Sequence, residues 1–175
     1  MHIRYSLALA AGLGAPAFAA GLAVDLDLPR LDVAEYHRPY VAAWIERPDQ
    51  TVAATLAVWY DGRAKGGKAE VEGTKWLKDL RQWWRRTGRE LQMPIDGVSG
   101  ATRPAGHQTI EAAEGSPALP KLAPGAYTLY VEAARESGGR EIVSLPFQWP
   151  LAEGGAPLKV AGSSELGAVQ LRAKP

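Results

Sequence analysis

Short runs with an apolar residue at every second position constrain the fold of this chain more than any other feature. Residues 22–28 place leucine or valine at alternate positions, with Asp25 and Asp27 between them. A period of two puts successive side chains on opposite faces of an extended chain, so this run predicts a half-buried strand. Strands of this kind pair into antiparallel sheets, in which one face packs on a core and the other meets solvent.

Two neighbouring runs of the same type predict a first β-hairpin. Residues 40–46 and 51–60 are rich in β-branched and aromatic residues. They are separated by Arg47-Pro48-Asp49-Gln50, a sequence typical of turns. We interpret Asp49 as a turn residue and nothing more.

A second hairpin is predicted near the C-terminus. Residues 127–133 and 141–149 are strongly β-prone, and Ser137-Gly138-Gly139 supplies a tight connection between them. A last short strand is expected at 168–172.

One segment has the helical period instead. Thr74 is a suitable N-cap, Gly88 is a suitable stop, and bulky apolar residues recur at helical spacing across 75–87. We expect Trp76 and Trp83 to lie in the core. The apolar side of this helix comprises Trp76, Leu77, Leu80, Trp83 and Trp84.

About six short strands with one helix predict a mainly β protein, an antiparallel immunoglobulin-like β-sandwich with one helical insertion. The insertion, with the loop that follows it, covers about 74–106 of a single domain at 20–175. Residues 97–106 are predicted to be loop. A chain of 175 residues is long enough to bury a substantial core.

The first 19 residues have the three parts of a secretory signal peptide. Arg4 gives a basic start, and residues 5–13 form an apolar run too short to cross a bilayer as a helix. Ala17-Phe18-Ala19 supplies small residues where signal peptidase requires them. We therefore predict cleavage before Ala20 and a periplasmic location.

Composition excludes several kinds of chemistry. The chain has no cysteine, which removes disulfides, iron–sulfur clusters, Cys-based zinc sites and thiol nucleophiles. Its 20 Lys+Arg against 19 Asp+Glu give no electrostatic case for nucleic acid as the main partner. Any redox or catalytic chemistry must come from oxygen or nitrogen side chains or from a bound cofactor.

One spaced motif rises above background. Residues 96–102 read Asp-Gly-Val-Ser-Gly-Ala-Thr, or D-x-x-S-G-A-T. From residue frequencies, a match to D-x-x-[ST]-G-A-[ST] is expected about once per thousand chains of this length. The alternative interpretation is that these are ordinary turn residues, since loops favour Asp, Gly and Ser.

The run resembles the flavinylation motif of the FMN-binding domains in the Rnf and Nqr electron-transport complexes. In that family a flavin transferase esterifies the final Thr hydroxyl to the phosphate of FMN. The resemblance implies that Thr102 is the attachment site. It also implies that Asp96, Ser99, Gly100 and Ala101 are recognised by the transferase.

The residue types suit that chemistry. A hydroxyl must reach a phosphorus of FAD in line with the departing AMP, so we expect an exposed Thr102 on an adaptable backbone. Gly100 supplies conformational freedom and Ala101 keeps the neighbourhood small. Asp96 is expected either to fix the turn through its side chain or to meet the metal in the transferase complex.

The wider chain is similar to a family of predicted periplasmic bacterial proteins, domain of unknown function family 2271. The features that suggest it are residues 40–44, the Trp-rich helix, residues 96–104, and Pro124-Gly125-x-Tyr127. This resemblance implies an exported β-rich domain, encoded in settings of flavin transferases and PepSY-type membrane proteins. After Thr102, however, the Rnf/Nqr pattern is replaced by residues 103–106, so we expect a fold unlike that of the Rnf/Nqr FMN domain.

Several other side chains are candidates for the flavin. Arg103 follows Thr102 directly and is expected to pair with the phosphate. Trp84, off the centre of the apolar stripe, is the candidate for stacking on the isoalloxazine ring. The remaining arginines of the helix are interpreted as its solvated face, although they could also pair with the phosphate or an acidic partner: Arg81, Arg85, Arg86 and Arg89.

The histidines predict no metal or hydrolase site. His37 and His107 are interpreted as surface or hydrogen-bonded residues, because two histidines without cysteine make a poor transition-metal site even with Glu111 nearby. Ser99 lacks the G-x-S-x-G context of a hydrolase nucleophile.

Two functions remain in view. The first is an extracytoplasmic electron carrier with FMN bound covalently to Thr102, modified by a flavin transferase and exchanging electrons with a membrane redox protein of the PepSY type. The alternative is a non-redox periplasmic β-sandwich that binds a membrane protein or carbohydrate. Carbohydrate binding would need exposed aromatic residues, and Trp44, Trp59 and Trp149 are the candidates, although a core position is expected for each.

Overall fold

Two β-sheets form the body of the protein. The computed structural model describes residues 21–62, 73–136 and 138–175, so the predicted signal peptide and Ser137 lie outside the described residues. The strands are β1 (Gly21–Leu28), β2 (Tyr40–Glu46), β3 (Val52–Tyr60), β4 (Ser99–Ala101), β5 (Gly106–Ala113), β6 (Gly125–Ala134), β7 (Arg140–Trp149), β8 (Leu158–Ala161) and β9 (Ala168–Lys174). The sheets have the strand orders β4-β3-β2-β6-β7 and β5-β1-β9-β8. The predicted mainly β sandwich is confirmed.

The alternating pattern of β1 is confirmed. Its Leu22, Val24 and Leu26 are fully buried, and the side chains of Asp25 and Asp27 are partly exposed on the opposite face. β1 lies between β5 and β9 and is antiparallel to both. Its apolar side therefore faces the five-stranded sheet, and its acidic side lies on the outer surface of the four-stranded sheet.

Both predicted hairpins are present. β2 pairs with β3 and β6 pairs with β7, each antiparallel. Asp49 is a turn residue as expected, since its Oδ1 accepts hydrogen bonds from the Thr51 backbone N–H at 3.0 Å and hydroxyl at 2.6 Å. A register shift in the β2–β3 pairing leaves both Leu56 and Ala57 buried, so β3 does not alternate strictly.

The prediction of a loop at 97–106 was wrong in part. β4 pairs with β3 in parallel, and β5 begins at Gly106, so the first sheet is not wholly antiparallel. The sequence did not predict β5, because only Ile110 and Ala112 of its eight residues are buried and the apolar pattern is therefore weak. β8 has no buried residue, which leaves its sequence without a pattern that predicts a strand.

The predicted helix at 75–87 is shorter and broken. Its regular part is α1 (Arg81–Arg86), flanked by single 3-10 turns at Leu77–Asp79 and Gly88–Glu90. Leu80, with φ −75° and ψ 69°, leaves the helical region between the first turn and α1. No helix of the described ranges is long and apolar enough to span a membrane.

Packing of this segment on the sheet follows the apolar pattern with one exception. Leu77, Leu80 and Trp83 are fully buried, which confirms the core position of Trp83. Trp76 is 39% exposed, so its predicted core position was wrong. The helix interruption at Leu80 accounts for the difference, because residues on either side no longer share one continuous helical face.

A buried carboxylate from β6 caps the N-terminus of α1. No side chain caps α1 locally, and the backbone N–H groups of Gln82 and Trp83 donate to the Glu132 carboxylate at 2.9–3.1 Å. Arg140 Nε donates to the same carboxylate at 2.6 Å, and Glu132 is fully buried. The free N–H groups of a helix start favour a negative charge, so Glu132 both caps α1 and fixes it to the sheet.

A second buried carboxylate fixes the other end of α1. Trp44 Nε1 donates to Glu46 Oε1 at 2.8 Å, and Arg86 Nε lies 3.3 Å from the same oxygen, outside hydrogen-bond geometry. A terminal nitrogen of Arg86 donates to Gln50 Oε1 at 2.8 Å. The helix is therefore tied at its start to β6 and at its end to the β2–β3 hairpin.

Glu141 closes one edge of the sandwich. Burial by itself would raise the pKa of Glu141, but hydrogen bonds from the backbone N–H groups of Leu166, Ser163 and Ser164 and from the Ser163 hydroxyl outweigh it and lower this pKa from 4.5 to about 2. These donors lie in the β8–β9 connection, whereas Glu141 is on β7. The two sheets are thus joined through one ionised side chain.

Replacing Glu132 by alanine tests its role as the anchor of α1. We expect Glu132→Ala to lower the free energy of unfolding by about 3–5 kcal/mol, because it leaves helix N–H groups unpaired and Arg140 without its counter-ion. Urea denaturation measures the change. Glu153→Ala, at an exposed position, should cost less than about 0.5 kcal/mol, and equal losses in the two variants would contradict the assignment.

The Glu141 contacts predict a pH dependence of stability. Because the folded pKa is below the unfolded one, the stabilisation is complete above about pH 4.5 and is lost as pH falls towards 2. Glu141→Gln should therefore be less stable than the native protein by about 1–2 kcal/mol at pH 7, since solvent screens this partly exposed side chain, and the gap should close in acid. Thermal unfolding from pH 7 to pH 2.5 measures this, and the exposed Glu114→Gln should show no such convergence.

Candidate functional site

A tight turn precedes β4 and contains Asp96, the first residue of the motif. Ile95 N–H donates to Ser99 Oγ at 2.8 Å, and Ser99 N–H donates back to Ile95 O at 2.9 Å. Gly97, with φ 69°, takes the left-handed conformation that glycine adopts without strain. Ser99 therefore fixes this turn, while Asp96 is exposed and makes no hydrogen bond or ion pair within the described part of the chain.

Gly100 allows β4 to approach a buried tryptophan. A Cβ at this position would lie 3.3 Å from Trp59 Cδ1, tighter than nearly all real Cβ contacts. Gly100 and Trp59 are partners in the β3–β4 register, and Trp59 is 5% exposed. The small residue is needed here for close strand packing, whereas Ala101 is exposed.

Thr102 ends the strand pairing and is buried. Its N–H donates to Tyr60 O at 3.2 Å, and the residue is only 7% exposed. The expectation of an exposed Thr102 was therefore wrong. The Thr102 backbone continues the pairing with β3 one residue beyond the end of β4.

Arg103 covers the neighbouring aromatic ring. Its guanidinium carbon lies 5.3 Å from the centroid of the Trp59 ring, a cation–π contact, while Arg103 itself is exposed. This contact holds the chain immediately after Thr102 against the sheet edge. The expected pairing of Arg103 with a phosphate stays a prediction.

Several strand termini meet beside the motif. Leu28, the last residue of β1, pairs with Gly106, the first residue of β5. Tyr60, the last residue of β3, pairs with Ala101, the last residue of β4, and β2 begins next to them at Tyr40. Residues 102–105 therefore cross from one sheet to the other at the end of the sandwich where β1 ends and β2 begins.

A cationic cleft of about 390 Å³ opens at this crossing. Two of its residues, Pro104 and Ala105, come two and three positions after the last motif residue. We call it the crossover cleft. It is lined by Arg30, Tyr36, His37, Arg38, Pro104 and Ala105.

In the crossover cleft, the histidine has carboxylate partners and the two arginines have none among the residues that the structure describes. His37 lies 3.2 Å from Glu35 and 3.7 Å from Glu136. Arg30 and Arg38 form no hydrogen bond or ion pair within the described ranges. The two guanidinium groups therefore have no direct carboxylate partner in these ranges, whereas Glu35 and Glu136 are engaged by His37.

Sequence reasoning missed this cleft. The segment Glu35-Tyr36-His37-Arg38 lies between Pro29 and Pro39 and contains no periodic pattern, so only its basic residues beside two prolines could have drawn notice. Its proximity to residues 104–105 depends on the β1–β5 pairing, which joins positions about 80 residues apart.

Trp84 lies on α1, which Glu132 anchors over β6. In the sheet order, β2 and β3 separate β6 from β4. Trp84 is partly buried against the core, with its ring centroid 6.4 Å from that of Trp83. Stacking of Trp84 on a flavin at Thr102 stays a prediction.

The histidines have the surroundings that were expected. His107 Nδ1 lies 2.9 Å from Asp27 Oδ1, and Glu111 pairs with Lys174 instead of with His107. Among the described residues, no group of three or more histidine or acidic side chains could hold a metal ion.

The tryptophans considered for carbohydrate binding are buried. Trp44 is fully buried, and Trp59 and Trp149 are 5% and 4% exposed. The expected core positions are confirmed.

An apolar groove lies elsewhere, where the C-terminal half of β7 faces β9. Its volume is about 740 Å³. The Tyr127 and Phe147 rings, whose centroids are 5.9 Å apart, contribute to its wall. The size and apolar lining are common for small-molecule sites.

One protein family matches most of the chain. Residues 21–168 match the family described as predicted periplasmic protein, domain of unknown function family 2271. The chain belongs to this family. The match includes the motif, the crossover cleft and the Trp-bearing helix. No curated protein and no solved structure matches the chain.

The short β4 predicts local opening at Thr102. We expect the Thr102 amide to exchange with solvent much faster than the amides of β2, because three paired residues at a sheet edge open at a lower free energy than a central strand. Native-state hydrogen exchange followed by NMR measures both. Equal protection at Thr102 and in β2 would contradict independent opening of this edge.

Proposed function

We propose that this protein is an extracytoplasmic electron carrier, exported with cleavage before Ala20, which bears FMN as a phosphoester on Thr102. The observation that carries the proposal is the juxtaposition of a complete D-x-x-S-G-A-T sequence with a cationic cleft that begins two residues after its Thr. The family description as a predicted periplasmic protein supports the compartment.

The attachment step balances with FAD as the donor. Thr102 Oγ forms a bond to the phosphorus on the FMN side of the pyrophosphate, and the bond from that phosphorus to the bridging oxygen breaks. AMP leaves with the electron pair, and the hydroxyl proton passes to a base of the transferase. The exposed Asp96 is available to the transferase or its metal, and Ser99 with Gly97 holds the turn that presents it.

Burial of Thr102 determines when it can react. A residue that is only 7% exposed must leave the sheet edge before its hydroxyl can enter another protein's active site. The edge is held by few contacts: three paired residues of β4, the Thr102 N–H bond to Tyr60, and the Arg103–Trp59 contact. Modification therefore requires either opening of residues 99–105 or reaction before this edge has folded.

The residues around Thr102 fit an attached FMN. Arg103 provides a guanidinium for the phosphate, and the crossover cleft, which Pro104 and Ala105 also line, provides Arg30, His37 and Arg38. FMN, when bound, supplies the redox chemistry that a cysteine-free chain lacks. Its proposed electron-exchange partner is a membrane redox protein of the PepSY type.

Co-expression with a flavin transferase tests the proposal. We expect intact mass spectrometry to show one added FMN less one water, and denaturing gels to show a fluorescent band. Thr102→Val should abolish the adduct, because it keeps the branched shape at a buried position and removes the nucleophile. Thr102→Ser should retain it.

Two results would overturn the proposal. One is a native protein without the adduct while a known substrate of the same transferase is modified. The other is an adduct that persists in Thr102→Val. Circular dichroism spectra of both variants should match that of the native protein, which excludes unfolding as the cause of a loss.

The alternative, a non-redox binding module, is favoured by the apolar groove between β7 and β9. Its aromatic wall and its volume of about 740 Å³ suit an apolar segment of a membrane protein. A protein without the adduct in the experiment above would favour this alternative.

A further inference from the structure

We propose that the crossover cleft holds the isoalloxazine ring of the flavin attached at Thr102, and that Arg30 and Arg38 stabilise the reduced flavin. This inference rests on the proposed function and adds the place of the ring and the source of its redox tuning.

The reach of the tether supports the assignment. Ala105 is three residues after Thr102, so their Cα atoms are at most about 10 Å apart. The ribityl phosphate that would link Thr102 to the ring has a comparable extended length. The cleft volume of about 390 Å³ lies within the range of small-molecule sites.

The charge of the cleft gives it a preference between redox states. Reduction by two electrons and one proton from a donor protein leaves the ring with a negative charge, which nearby guanidinium groups stabilise more than the neutral oxidised ring. Glu35 and Glu136 engage His37, so they do not neutralise Arg30 or Arg38 by direct pairing. The cleft should therefore raise the flavin midpoint potential.

Tyr36 adds a second observation at the same place. Its hydroxyl is buried and has no hydrogen-bond partner among the residues that the structure describes. Tyr36 lines the crossover cleft, and an unpaired buried hydroxyl costs free energy unless a ligand or neighbour satisfies it. Because the hydroxyl oxygen has no exposed surface, a ring in the cleft would meet the side chain of Tyr36 and would reach its oxygen only after that side chain moved.

Potentiometric titration of the flavinylated protein tests the inference. In the double variant Arg30→Gln/Arg38→Gln, the equilibrium constant for reduction of the attached flavin should fall at least tenfold. For a two-electron couple this lowers the midpoint potential by about 30 mV or more. The control Lys121→Gln/Lys159→Gln removes the same number of charges at exposed positions outside the cleft and should leave the potential unchanged.

A charge-preserving variant separates electrostatics from packing. Arg30→Lys/Arg38→Lys should keep a potential close to that of the native protein, because the two positive charges remain. If the midpoint potential of the lysine variant falls as far as that of the glutamine variant, the proposed electrostatic cause is overturned.

The outcomes also separate this inference from the proposed function. A native protein without any FMN adduct would overturn both. An adduct that forms normally, with the same potential in the Arg30→Gln/Arg38→Gln variant and in the lysine control, would overturn the role of the cleft and leave the attachment at Thr102 intact.

Discussion

The buried carboxylate of Glu132 is the interaction on which the arrangement of the sheet and its insertion depends. It accepts the backbone N–H groups of Gln82 and Trp83 and the guanidinium of Arg140, with no exposure to solvent. Such a group is stable only when its charge is fully hydrogen-bonded, so the helix start and β6 must meet in one geometry. The chain that leaves the far side of this insertion then reaches the sheet edge as β4.

The motif is built on that edge. Ser99 fixes the turn, Gly100 permits contact with Trp59, and Thr102 is held under the end of the sheet. A proposed attachment residue in such a place is protected from solvent, yet it is held at the edge by a short parallel strand, one backbone hydrogen bond to Tyr60 and one cation–π contact. Local opening of this edge, which the proposed attachment requires, would expose Thr102 without unfolding of the sandwich.

The strands with strong alternation could be predicted because their own sequences record which face is buried. β1 and the two hairpins are examples. β5 and β8 could not, since β5 buries only Ile110 and Ala112 and β8 buries nothing. The break at Leu80 was also unpredictable from local spacing, because the restart of the helix depends on Glu132, a residue 50 positions away from Gln82.

The candidate site divides in the same way. The sequence by itself determined the motif from Asp96 to Thr102, the absence of cysteine and the two-layer β class, because each is a property of residue type or of short-range periodicity. Only the tertiary structure decided that Thr102 is buried and that Arg30 and Arg38 lie beside the residues that follow it. Both depend on strand pairing between distant segments, which local sequence does not encode, because pairing free energy comes from the partner strand and from the core that the two sheets enclose.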